Sequence, residues 1–455
     1  VTPFSTLEWA NPPAASLPKM VTESPGPKAR ALHERMERHQ RGSYTAMVAL
    51  HPVAFESGQG VVLRDVDGNE YIDFSSGIVV TNLGHAHPEV AAAIAKAAAQ
   101  LDNVHDFAHP LKVEAMEALA TITPPGMSLF TFFCAGTEAV EGAMRVARAK
   151  TGKQGFVSFF NDYHGRTGGA AGVTATRASN GIRPPGSWLV PSGHCYRCAL
   201  SQEYPSCQLA CARLLEHSIL QNAPGDVAGV VMEIITNGNG ATVYQPDYVP
   251  TVAEICRRNN IMLIADEVAT GFGRTGAWFA VDHYGVVPDV MPIGKGLGNG
   301  FPVTAIAVRE EHAEAFAASF PSTSYGGNPM ACAAVTTTIR LMREEALVEH
   351  CADLGEFALA RMRELQERHP IVGEVRGKGA LLAIELVKDK ATKEPFPQAG
   401  NLVYQGAFRR GVAWATAGHI LRITPPIVMS KEVFARGLEI IEDAIYEVET
   451  EFGYH

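Results

Sequence analysis

Long apolar runs are missing from this sequence, and so is any excess of positive charge. No uninterrupted apolar stretch in the 455 residues is long enough to cross a bilayer. Lys and Arg number 38 against 48 Asp and Glu, a formal net charge of −10, which argues against a nucleic-acid surface or a polybasic membrane patch. The opening VTPFSTLEWANPPAASLPKM has no basic start followed by an apolar run, so it does not read as a secretory signal. A reducing cytoplasm is therefore the expected setting. Cysteine is scarce, at eight residues. Cys134, Cys256, Cys332 and Cys351 stand singly among Ala, Phe, Ile and His and read as small buried hydrophobes. No internal repeat is present.

What is there fits a soluble globular protein too long for one simple core, so two domains are expected. Pro-rich coil and one charged helix, Pro27 to Gln40, precede VVLRDVDGNEYIDF (61–74), a hairpin signal around Asp-Gly. Helical spacing then appears over 87–101, 137–150, 211–220 and 249–259. Between these helices lie FVSFF (156–160), AGVVMEII (228–235), IMLIADEV (261–268) and AIAV (305–308), which predict buried parallel strands. A long helical stretch from Met330 to His369, a strand pair near 373–387 and a last helix over 431–452 follow. The expectation is an α/β fold: a large domain over 73–328, and a smaller α+β domain formed by 1–72 and 329–455.

Two segments carry the chemistry. IMLIADEVATGFGRTG ends its apolar run in Asp266, at the strand end where open α/β sheets bind ligands. Alone, such a residue is as well explained by a helix cap or a salt bridge. DVMPIGKGLGNGFP then sets Lys295 between Gly294 and Gly296, which give backbone freedom and space around the amine. Asn299 breaks a Gly-x-Gly-x-x-Gly pattern, and no Ser or Thr follows Gly-Lys as a P-loop requires. A lysine paired with a carboxylate is what pyridoxal 5′-phosphate (PLP) needs: the amine forms a Schiff base, and the acid keeps the pyridine nitrogen protonated. Gly136 and Thr137 open a helix whose amides favour a phosphate, the structural alternative being a Thr N-cap with Glu141 in support. Tyr163 and His164 directly follow a strand, where an aromatic ring either stacks on a pyridine or packs in the core.

These segments resemble the class III aminotransferases, PLP enzymes of fold type I that include 4-aminobutyrate and ornithine aminotransferases. The resemblance runs from DVDGNEYIDFSSGIVVTNLGHAHPEV through AGTEAVEGAMRVAR, YHGRT, ADEVATGFGRTG and GKGLGNGFP to SYGGNPMACAA, EVRGKGALLAIEL and LRITPPI. It implies Lys295 as the Schiff-base lysine and Asp266 as the pyridinium partner. Val268 and Tyr163 are implied on opposite ring faces, and Gly136 and Thr137 at the phosphate. Ser324 takes the place of a Thr that contacts the neighbouring subunit's cofactor, so a homodimer or a multiple of one is implied. Arg422 matches an arginine that binds a substrate carboxylate, and Glu233 the glutamate that pairs with it otherwise. The implied activity is transfer of an amino group from an amine or amino acid to an α-keto acid.

The sequence departs from the family pattern in three places. Ala269 stands where a Gln usually contacts the cofactor's phenolic oxygen, EIITNGNG (233–240) replaces a Glu-Pro turn, and Ser324 replaces Thr. HCYRCALSQEYPSCQLAC brings together Cys195, Cys198, Cys207 and Cys211, the form of a structural zinc site; four reduced thiols in a surface insertion are the alternative. This insert resembles one in the amino-acid racemase and epimerase branch of the family, which makes racemisation the alternative activity. A racemase needs an acid on the face opposite the lysine. The matching position here is Gly238, between Asn237 and Asn239. A non-catalytic, metal-stabilised member is a further alternative, but it has no need of Lys295, Asp266 and Arg422 together.

Overall fold

A computed structural model describes residues 4–175, 184–222, 225–238 and 240–454. The chain forms two units, Glu89–Arg343 and Val1–Pro88 with Glu344–His455. The breaks thus fall at 88/89 and 343/344 rather than at 72/73 and 328/329. Residues just past the hairpin stay with the second unit: Phe74 stacks on Phe434 of the last helix, ring centroids 5.2 Å apart.

The first unit is built on seven strands: β1 (Met127–Phe133), β2 (Gly155–Phe159), β3 (Ser187–Val190), β4 (Val227–Glu233), β5 (Met262–Asp266), β6 (Val290–Ile293) and β7 (Thr304–Arg309). Their order is β1-β7-β6-β5-β4-β2-β3. The inner strands β2, β4, β5 and β6 are buried along their whole length, so they read as unbroken apolar runs rather than alternating ones. Parallel pairing joins β6-β5-β4-β2-β3. The expectation of a parallel AIAV strand is corrected: β7 runs antiparallel to both β1 and β6. Helix α1 (Gly136–Thr151) turns Val140, Ala143, Met144 and Ala147 into a core shared with Phe133, Phe156, Val231, Ile264 and Ile306. Helix α2 (Tyr248–Arg258) buries Tyr248, Val249, Val252, Ile255 and Cys256, one apolar stripe at helical spacing.

In the second unit, Val62–Asp65 and Glu70–Asp73 form the expected hairpin, in a sheet with Phe55–Gln59 and Val412–Ala413. A second sheet orders Val372–Lys378, Leu381–Leu386, Ile420–Ile423 and Ala415–Ala417 with antiparallel pairing throughout. The long helical stretch is two helices, Pro329–Glu344, nearly all of it in the first unit, and Leu347–Arg368 in the second, broken where Ala346 takes the left-handed φ of 49°. Among the described residues no helix is long and apolar enough to cross a membrane.

Candidate active site

The carboxyl ends of the parallel strands gather the candidate residues of the first unit. Asp266 closes β5, Glu233 closes β4 in register with it, and Gly294-Lys295 follow β6. Asp162, Tyr163 and His164 follow β2, and the start of α1 follows β1. Val268 joins three of these segments. A Cβ added to Gly136 would lie 3.1 Å from Val268 Cγ1, and one on Gly294 would lie 3.3 Å from the same atom and 2.7 Å from Thr304 Cγ2. Gly294 is thus required by close approach, while its own φ of −175° is ordinary extended backbone. Lys295 is the residue in the left-handed region, at φ 46° and half-buried. Such a conformation is uncommon for a side chain of this size and is often held at functional sites.

Beneath this edge lies a buried chain of polar groups. Asp266 Oδ2 is 2.6 Å from His164 Nδ1, and its Oδ1 accepts the Val268 amide at 3.0 Å. His164 Nε2 faces Ser158 Oγ at 3.2 Å and Asp162 Oδ2 at 3.7 Å. Asp162 Oδ2 in turn accepts the Glu233 amide at 2.9 Å, and Glu233 accepts the amides of Tyr163 and Asn237, each at 3.1 Å. Burial opposes charge on His164, but hydrogen bonds and attraction to Asp162 and Asp266 outweigh it and raise the imidazole to about 10. Burial and the nearby Asp162 charge push Glu233 up to about 8. These surroundings favour the charged form of the His164 ring and the protonated form of the Glu233 carboxyl. Tyr163 lies above this layer with 36% of its surface exposed.

At the start of α1 the N-cap is Ala135, not Thr137. Glu138 reaches back to accept the amides of Cys134 at 2.9 Å and Ala135 at 3.1 Å. Gly136 and Thr137 occupy the first turn, whose amides an α-helix leaves without intrahelical acceptors. The Thr137 hydroxyl bonds Thr167, whose hydroxyl donates to Glu141, and Glu141 also accepts the Gly169 amide at 3.0 Å. Glu141 thus fastens the loop after Tyr163 to α1 rather than supporting a cap.

The remaining expected residues lie on several elements. Arg422 belongs to the second unit, half-buried on Ile420–Ile423 opposite Ala383 and Ala415. Ser324 is exposed on a turn, its carbonyl accepting Asn103 Nδ2 at 2.7 Å. Glu233 is 3% exposed, and its two carboxylate oxygens accept the amides of Tyr163 and Asn237, which ties the loops after β2 and β4 together. Cys195, Cys198, Cys207 and Cys211 line one cavity with Tyr248 and Gln245. Among the described residues, however, no three of these thiols lie mutually within 4.8 Å, so the expectation of zinc is not supported. Asn239 lies outside the described residues.

Asp162, Ser158 and Thr167 were not singled out from sequence. Asp162 had a legible signal, an acid directly before Tyr163 and His164 on a strand-end loop. Ser158 and Thr167 had none beyond proximity.

Residues 44–445 match the class-III aminotransferase family. The chain is 36% identical over 436 residues to a 4-aminobutyrate aminotransferase of Mycobacterium leprae, covering 93% of this chain and 97% of that one. It is 33% identical to a leucine/methionine racemase of Thermococcus litoralis, covering 91% and 96%. Among solved structures, the omega transaminase of Pseudomonas jessenii in complex with PMP superposes with a TM-score of 0.88 at 28% identity, covering 92% of this chain and 98% of that one. Lysine, carboxylate and helix start converging at one sheet edge, together with a match over most of the chain, make this protein a member of the class-III aminotransferases.

Proposed function

We propose that this aminotransferase binds PLP through Lys295 and moves an amino group from an amine or amino acid to an α-keto acid. The observation that carries the reading is the convergence of Gly136, Val268, Gly294-Lys295 and the buried Asp266 at the carboxyl edge of the sheet. The residues fit the group. An ionised carboxylate has about four lone-pair sites, and two of those on Asp266 are engaged, by His164 and the Val268 amide. Capacity for a ring N–H remains. When bound, PLP supplies an electron sink for the pair left on the substrate carbon after it loses a proton.

Asp266 would hold the pyridine nitrogen, Val268 and Tyr163 the two ring faces, and the first-turn amides of Gly136 and Thr137 the phosphate. His164 supports Asp266 from below rather than touching the cofactor. Lys295 Nζ would take the proton from the amine-bearing carbon, work that typically contributes about 10²–10⁴-fold to rate. Arg422 would orient a substrate carboxylate by a bidentate contact.

The active species in this reading is a homodimer. Leu101, Phe107, Phe320 and Tyr325 are exposed apolar side chains near Ser324, Phe107 at 80% and Phe320 at 67%. Hydrogen bonds from Asn103 to the Ser324 carbonyl and from Ser322 to Asp106 hold their two loops together. Such a surface calls for a covering partner, and a second copy with Ser324 at the shared site is the occupant proposed.

The test incubates the purified protein with PLP, an amine panel and 2-oxoglutarate or pyruvate, and follows keto-acid exchange. Borohydride reduction should fix the cofactor on Lys295; a label on another lysine overturns the assignment. Racemisation is the second reading, favoured by the Thermococcus litoralis relative.

A further inference from the structure

Resting on the PLP reading above, we propose that Asp162 is a positioning residue. It holds His164 doubly protonated and so keeps the Asp266 carboxylate ionised and oriented for the cofactor's ring nitrogen. Two contacts bear on where the protons lie. Asp266 only accepts when ionised, so the 2.6 Å contact places a hydrogen on His164 Nδ1. The other ring nitrogen, Nε2, faces Asp162 Oδ2 at 3.7 Å, with Ser158 Oγ at 3.2 Å. A neutral ring could accept the Ser158 hydroxyl at Nε2, but its lone pair would still face the Asp162 carboxylate. A hydrogen on Nε2 converts the repulsion into an ion pair.

Asp162 is locked in place to do this. Its Oδ2 accepts the Glu233 amide at 2.9 Å, and its carbonyl accepts the Ala175 amide at 2.8 Å. It links the ends of β2 and β4 to Asp266 at the end of β5. A stabilising role alone explains it poorly. Asp162 is fully buried, and its Oδ1 has no hydrogen-bond partner, a costly arrangement for an ionised group. The groups bearing on the His164 ring are Asp162, Asp266, Ser158 and the Glu233 carboxyl; Thr174 takes the His164 amide, Tyr244 bears on Asp162, and burial raises Asp162 while His164 opposes that rise. The raised imidazole agrees with this reading.

Asp162→Asn separates charge from shape, because an amide oxygen can still accept the Glu233 N–H. In protein without added cofactor, ¹H NMR of the imidazole N–H protons at pH 7 should show two ring protons on His164 in the wild type and one in Asp162→Asn. With PLP bound, the visible band of the wild type should show no His164-linked step between about pH 6 and 9. Asp162→Asn should introduce a one-proton step in that window, and Asp162→Asn/His164→Gln should abolish it. Superimposable titrations of wild type and Asp162→Asn, or a step that survives in the double variant, overturn the proposal. A wild-type protein that takes up no PLP overturns the cofactor reading instead, and the imidazole spectrum then still decides the Asp162–His164 link.

Discussion

Gly136 approaches Val268 so closely that a Cβ on the glycine would stand 3.1 Å from Val268 Cγ1. The helix start and the residue proposed to pack on the ring are therefore one piece of structure. Gly136→Ala requires Val268 to move by a few tenths of an ångström, and its expected effect is on cofactor retention more than on folding. Gly294→Ala is more severe, because its Cβ would meet Thr304 Cγ2 at 2.7 Å. Overpacking of this kind typically costs about 1–3 kcal/mol. Thermal unfolding should show the larger loss in Gly294→Ala, while PLP titration should show weakened binding in both. Equal melting temperatures for the two variants would contradict the geometry.

Replacement of Lys295 tests the division of labour at the sheet edge. Lys295→Ala keeps the amides of Gly136 and Thr137, the Asp266 carboxylate and the Tyr163 ring, so it should retain PLP at reduced affinity. Without the amine, borohydride should fix no cofactor, and turnover should fall by at least about 10²-fold. Dialysis followed by measurement of bound cofactor and keto-acid production checks both halves.

How much of this arrangement could be read from sequence depends on whether the signal is local. Gly136–Thr151 and the buried run of β4 carry their own periodicity and were legible to within a few residues. The direction of β7 was not, because an apolar run of this length carries no mark of which neighbour it pairs with or in which sense. The break at Ala346 was also hidden: neither Pro nor Gly interrupts the pattern there, and only the φ of 49° records it. Lys295 and Asp266 stood out through their surroundings, whereas the His164–Asp266 contact spans 102 positions and is set by strand order. The cysteine spacing pointed to a metal, yet spacing fixes no thiol-to-thiol distance.

Assembly is tested at Phe107. An 80% exposed phenylalanine, on the loop that Asn103 and Asp106 tie to Ser324 and Ser322, is expected to be covered in a homodimer. Phe107→Asp buries a charge at that contact and should shift sedimentation towards the monomer. Because Ser324 would then lack its counterpart site, activity should fall with protein concentration more steeply than in the wild type. A wild-type protein that is fully active as a monomer across a dilution series would contradict the proposal.

Stability should depend on pH through His369. Its Nδ1 is 2.6 Å from Glu449 and its Nε2 is 3.2 Å from Glu442, tying the end of Leu347–Arg368 to the last helix. Burial opposes charge on the ring, but the bonds to Glu449 and Glu442 prevail and raise it above its ordinary value. A raised histidine contributes fully below its unfolded value of roughly 6.5 and loses that contribution as pH rises through the folded value. Wild-type unfolding free energy should therefore fall on the alkaline side of about pH 6.5 more steeply than in His369→Gln. Glu449 is completely buried and also accepts the Ile371 amide. Glu449→Ala should cost about 3 kcal/mol in denaturant unfolding, the lower end for breaking a buried pair, because Glu442 remains.

The choice between transamination and racemisation turns on the side of the site where Gly238 lies. In the proposed reading both reactions would start with removal of a proton from the substrate carbon by Lys295, whose neighbour Gly294 packs on Val268. Racemisation must return the proton from the opposite side, which requires an acid there. With Tyr163 on that face of the ring, as proposed, Gly238 would lie there too, since a Cβ built on it would lie 3.2 Å from Tyr163 Cβ and meet nothing else within 4 Å. Glu233 is the nearest acid in the turn, but it is buried beneath Tyr163 with both oxygens held by amides. The expected result with a single amino donor and no acceptor is stoichiometric keto-acid release, with the cofactor's absorption moving to the near ultraviolet. Solvent deuterium should enter the recovered amino acid slowly and with retention of configuration. Gly238→Glu places a carboxylate over Tyr163 and should raise the racemisation rate relative to keto-acid release. Fast loss of optical rotation in the wild type, with deuterium uptake and no keto acid, would assign the protein to racemisation. The Tyr163 hydroxyl would then be the group to examine, and Tyr163→Phe should abolish inversion while leaving proton removal by Lys295 intact.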